Sequence, residues 1–164
     1  MSVAVAAATR SEPTYPAATA ASPEEAASEL IDVFDFLEDW NDRYQHIMEL
    51  GEKLPPLPDA LKTEENRLHG CQSTVFMHAR RKPGTADVLE FLASSDAAIV
   101  RGELALLQHV YSGQRARDVL AFDVLGFFSR LGLDQHLSPT RRNGLAAMVK
   151  RLRSFAAAVA RETP

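Results

Sequence analysis

The sequence predicts one α+β domain, a small antiparallel β-sheet packed by helices. Three observations carry this. Apolar residues recur every three and four positions over 30–48 and again over 145–159, which is the period of a helix with one buried face. Two runs rich in β-formers flank the turn sequence Lys82-Pro83-Gly84-Thr85, the mark of a hairpin. The length, 164 residues, suits a single core.

Residues 1–22 are rich in Ala, Thr, Ser and Pro without periodicity, so a disordered tail is expected there. A transit peptide is the alternative, but such peptides are Arg-rich and poor in acids, and this stretch carries Arg10 and Glu12. The folded domain is expected over 23–164. Ser22-Pro23-Glu24-Glu25 combines an N-cap, a first-turn proline and a capping acid. Leu30, Val33, Phe34, Leu37, Trp40, Tyr44, Ile47 and Met48 then form an apolar stripe. The pattern allows one break near Asp39, and Gly51 is a plausible C-cap. Leu54-Pro55-Pro56-Leu57-Pro58 cannot be helix interior and reads as an extended connector.

Three strand candidates follow: 67–69, 74–80 and 87–93. Ser94-Ser95-Asp96 is a natural N-cap cluster for a helix with Val100, Leu104, Leu107 and Tyr111 on one stripe. Short helices are expected over 116–121 and 124–131. A last helix opens at Ser138-Pro139, with Leu145, Met148, Val149, Leu152, Phe155 and Val159 as its apolar face.

Composition is that of a soluble globular protein, 46% hydrophobic and 24% charged. A net charge of -4 offers no basic footprint for nucleic acid. No apolar run reaches the ~18 residues of a membrane span. One cysteine excludes an intramolecular disulfide and a multi-cysteine metal site. A lone thiol and the lack of a secretory pattern point to the cytoplasm.

That cysteine, Cys71, is the candidate for chemistry. It sits in Gly70-Cys71-Gln72-Ser73, between strand candidates. Gly70 permits a tight turn, and Gln72 and Ser73 can hydrogen-bond a loop, so the thiol is expected at a loop tip. A lone cysteine also serves as a small buried hydrophobe. Sulfur transfer from a persulfide would need only a thiolate. At neutral pH roughly 3% of an ordinary thiol is ionised, so a nearby cation would help. Arg67, His69 and Arg141 are the candidates. Arg141 stands in the first turn of the last helix, where a basic residue opposes the dipole. The five histidines show no metal-ligand spacing. A His69–Cys71 hydrolase dyad is conceivable, although no orienting Asn or Asp is identifiable.

Several blocks together resemble the SufE family. They are 44–51 (Tyr-Gln-His-Ile-Met-Glu-Leu-Gly) with 53–57 (Lys-Leu-Pro-Pro-Leu); Gly70-Cys71-Gln72-Ser73; 95–102 (Ser-Asp-Ala-Ala-Ile-Val-Arg-Gly); Phe122-Asp123; and 136–141 (His-Leu-Ser-Pro-Thr-Arg) with Gly144-Leu145. The family often reads Gln-Val-Trp after its Gly-Cys-Gln-Ser block; this chain has Thr74-Val75-Phe76. The resemblance implies a fold similar to IscU-type scaffolds. It implies that Cys71 takes a persulfide from the cysteine desulfurase SufS, a pyridoxal-phosphate enzyme, and stimulates it. Sulfur would then pass to the SufBCD complex for iron–sulfur cluster assembly. Such a protein is a desulfurase activator rather than a stand-alone enzyme, needs no cofactor or metal, and is a monomer or homodimer. It also implies a resting thiol sheltered in an apolar cleft, with Arg141 beside the loop. Two alternatives stay open: a CsdE-type acceptor serving the desulfurase CsdA, and an IscU-like cluster scaffold.

Overall fold

The computed structural model describes residues 13–162. Helix α1 (Pro23–Phe36) starts as the sequence predicts: Ser22 Oγ accepts from Glu25 N–H, and Pro23 occupies the first turn. The break falls where expected. Asp39 accepts from Asn41 N–H at 2.8 Å and so caps a second helix, α2 (Trp40–Glu52).

Gly51 is not the C-cap the sequence suggested. It lies inside α2, and its role is close approach to α3 (Ala98–Tyr111). A Cβ on Gly51 would stand 2.6 Å from Gly102 N, and one on Gly102 would stand 2.4 Å from both Ile47 Cγ2 and Ile47 O. The two helices therefore cross backbone to backbone. Neither can retreat without opening the core around Ile47, Leu104 and Leu107, all fully buried. Gly102→Ala should cost about 3 kcal/mol, the upper range of overpacking, seen as a lowered urea midpoint at unchanged slope. A midpoint equal to the parent's would show that the crossing has slack.

The sheet has three strands in the order β1-β2-β3. β1 (Val75–Arg81) pairs antiparallel with β2 (Val88–Ser95), with Val75 opposite Ser95 and Arg81 opposite Leu89. Gly84, at φ 80°, closes the expected hairpin turn. The strand candidate at 67–69 reduces to a single bridge, Arg67 to Phe76, because Gly70 turns the chain away immediately after it. A strand that no pattern foretold, β3 (Gln114–Arg115), pairs with Val88 and Leu89. Two residues are too few to show an alternation.

On one face of β2, Leu89, Phe91 and Ala93 join the main core with α3. The other face is covered by residues expected in the tail. Tyr15, Leu57 and Leu92 form a second buried cluster. Tyr15 Oη lies 2.7 Å from His78 Nδ1, and the Arg80 guanidinium sits over the Tyr15 ring. Ser112 Oγ donates to Pro16 O, and Gln114 Nε2 donates to Ala20 O. Residues 13–21 are thus a strap tied down by side chains of other elements, a kind of order that periodicity cannot reveal. Residues 1–12 of the expected tail lie outside the described residues.

Short helices α4 (Ala116–Ala121), α5 (Val124–Leu131) and α6 (Leu133–His136) lead to α7 (Pro139–Glu162). Helix α4 packs on α7, which also touches α3 and β1. The start of α7 thereby comes to the loop that carries Cys71. No helix among the described residues is long and apolar enough to cross a membrane.

Candidate functional site

The loop at 69–74 is held from both ends. Leu68 N–H donates to Val75 O at 2.8 Å, and Met77 N–H donates to Asn66 O at 2.8 Å. Leu68 is buried and anchors the rising side. Gly70 takes φ 94°, a backbone that other L-residues rarely adopt. Asp96, one of the Ser94-Ser95-Asp96 cluster expected to cap α3, instead accepts from Thr74 N–H with Oδ1 at 3.1 Å. Ala97 is the N-cap residue of α3 and no side chain caps the helix; Ser95 Oγ accepts from Ala97 N–H just ahead of it.

Cys71 is half-buried at the tip. Its Sγ donates to Gly144 O at 3.6 Å. Gly144 lets α7 pass this closely, since a Cβ there would lie 3.3 Å from the sulfur. Ser138 accepts from Arg141 N–H and caps α7 as predicted. This cap fixes the first turn, and with it Arg141, beside the loop.

The thiol opens into a cavity of about 310 Å³. Cys71, Gln72, Ser73 and Arg141, the last distant in sequence from the others, all line it. The cleft is not the apolar one that the resemblance implied. Val100 and Met148 are its apolar side chains, but Ser138, Thr140, Arg141 and Glu103 face it as well. His69 is not brought in: it turns outward and sits 3.0 Å from Glu64. Arg67 also lies against Glu64. The hydrolase dyad and these two helpers therefore lack a geometric basis. A larger groove of about 950 Å³ runs between α5, α6 and α7, but it contains neither Cys71 nor Arg141.

Sequence reasoning missed Glu103. It is 1% exposed, and its Oε1 has no hydrogen-bond partner. The signal was present: 103 falls between 100, 104 and 107 on the apolar stripe of α3, where an acid is out of place. Burial pushes the Glu103 carboxyl up to about 7, against the pull of the Arg141 charge. Burial also raises the Cys71 thiol above its ordinary value, and the Glu103 charge adds to this. The site therefore holds one nucleophile, one acid and one fixed cation.

The family model described as SufE, Fe-S metabolism associated domain, matches residues 28–156. The chain belongs to the SufE family. An uncharacterized SufE-like protein of Rhizobium meliloti is 41% identical over 129 residues, covering 78% of this chain and 92% of that protein. One from Rhizobium etli is 43% identical over 130 residues, covering 78% and 87%. The solution structure of a hypothetical protein from Thermus thermophilus superposes with a TM-score of 0.67 at 26% identity, covering 82% of this chain and 95% of that one. Membership of the SufE family supports a sulfur-acceptor role in Fe-S metabolism and implies a cysteine desulfurase as partner. The matched segment contains Cys71, Glu103 and Arg141 and excludes the strap.

Proposed function

We propose that this SufE protein accepts sulfane sulfur on Cys71 from a SufS-type cysteine desulfurase, raises the turnover of that enzyme, and delivers the sulfur to a SufBCD scaffold for cluster assembly. The observation that carries this is the chain's single cysteine, placed at a glycine-turned loop tip over a cavity that also holds Arg141. The Cys71 thiolate attacks the outer sulfur of the donor's cysteine persulfide. A new S–S bond forms on Cys71, and the donor's S–S bond breaks. The electron pair leaves with the donor's cysteine sulfur, which takes up the proton that the Cys71 thiol gave up. Thiol and persulfide thus exchange places, with no external oxidant or reductant. Removing the persulfide frees the desulfurase for its next turnover.

Arg141 supports the reading as a fixed charge on the cavity wall, suited to an anionic persulfide. Arg141→Ala should slow sulfur acceptance by about tenfold, the worth of one modest charge contact. Arg141→Lys should recover part of that loss. An alanine variant that loads at the parent rate would confine Arg141 to packing. The test of the function itself is the intact mass of the protein after incubation with a SufS desulfurase and cysteine. The expected result is an added mass of one sulfur on Cys71, reversed by a thiol reductant, with faster desulfurase turnover. The same assay run with a CsdA-type enzyme separates the two circuits. No added mass with either enzyme would overturn the proposal.

A further inference from the structure

Glu103 lines the cavity, yet the transfer step above makes no use of it. It is nine-tenths and more buried, and Oε1 is without a partner. It lies on the α3 wall of the cavity onto which Cys71 opens. We propose that Glu103 is a positioning residue for sulfur acceptance: its carboxyl and the Cys71 thiol share one cavity that tolerates a single negative charge, so the thiolate forms readily only when Glu103 is neutral. This deepens the sulfur-acceptor reading and rests on it for its biological meaning.

The charged surroundings make the pairing selective. From the loop comes Cys71, and from α7 comes Arg141, the cation whose charge acts on Glu103. Helix α1 meets α3 near its other end, where Glu29 pairs with His109. Helix α2 meets it through Ile47, Gly51 and Gly102. On the sheet, Glu90 of β2 is engaged by Arg80 at 2.8 Å. His69 is near Cys71 in sequence, but it is exposed and paired with Glu64.

Two like charges in one poorly solvated cavity raise each other's proton affinity, and the effect is reciprocal. A proton on Glu103 therefore lowers the cost of losing one from Cys71. Burial holds the carboxyl near neutrality, up to about 7, so both of its states are populated in a living cell. With Glu103 charged, the thiol holds its proton more tightly and reacts more slowly.

The test uses iodoacetamide and the intact mass, which reads Cys71 alone because the chain has no other cysteine. Alkylation rates are measured from pH 5.5 to 9 for the parent, Glu103→Gln and Glu103→Leu. The ratio of variant to parent should be near one at the acid end, rise through pH 7, and level off at roughly three- to tenfold. The parent's own profile should bend near pH 7, and the bend should survive His69→Gln. A ratio above one that does not change with pH would mean that the variants merely expose the thiol, and would overturn the proposal. So would a straight parent profile, which decides the matter even if both variants fail to fold. Alkylation needs no desulfurase. If the parent fails to load sulfur from the enzyme, the acceptor reading falls, while the link between Glu103 and Cys71 is still judged by these rates.

Discussion

Replacing Cys71 with serine should abolish sulfur acceptance and desulfurase stimulation while leaving the fold intact. Sulfur transfer needs an anion that is nucleophilic toward sulfur, and a serine hydroxyl does not ionise near neutral pH. No second cysteine is present to take over. The structural change is slight. Cys71 is only half-buried, and the serine hydroxyl can keep the hydrogen bond to Gly144 O that the thiol makes. Stability should stay within about 0.5 kcal/mol of the parent, as for other substitutions away from the core. The two readouts are an intact-mass loading assay and a thermal melt. A serine variant that still stimulates the desulfurase would show that docking alone activates the enzyme. One that melts far below the parent would leave loss of transfer without a chemical meaning.

The second large effect concerns stability rather than transfer. Glu103 carries an ordinary carboxylate affinity when unfolded, 4.5, and about 7 when buried. Below pH 4.5 both states hold the proton, and the carboxyl costs the fold nothing. As pH rises from there to about 7, the unfolded chain releases the proton freely while the folded one resists, so the fold loses stability. The loss is complete above pH 7 and amounts to about 3 kcal/mol. Glu103→Gln removes that dependence. Its stability minus the parent's should grow by about 2.5 kcal/mol between pH 5 and pH 8 in urea titrations. Other groups titrate alike in both proteins and cancel in the difference. Parallel pH profiles would place the parent's pH dependence elsewhere.

Most of the helices were legible because each writes its own signal; α6, four residues long, is too short to show a period and was not foreseen. Ser22-Pro23 and Ser138-Pro139 start helices where their chemistry says they must, and Asp39 splits the first long stripe. The hairpin was legible from Gly84 and its flanks. Local signals misled where a tertiary partner claimed the residue. Gly51 serves the crossing with Gly102 rather than a cap, and Asp96 turned to Thr74 N–H rather than to α3. In the site, Cys71 and Arg141 stood out, one as the sole thiol and one as a cation at the wrong helix end. That they meet was implied only by family resemblance. Glu103 was visible as an acid on an apolar stripe, yet its meaning depended on which cavity the stripe faces. The strap left no trace at all, because Tyr15 and Pro16 are held by His78 and Ser112 from far along the chain.

The strap alters where this protein, as a physical object, begins. The family match starts at residue 28 and α1 at Pro23, and either would be a natural place to cut. A version trimmed there would take Tyr15 from the cluster it forms with Leu57 and Leu92 on the back of the sheet and strip Ser112 and Gln114 of their carbonyl partners. The newly opened apolar face would invite molecules to stick to one another. The smallest unit that is whole in its own right therefore includes the strap ahead of the first helix, which reaches from the back of the sheet to the end of α3.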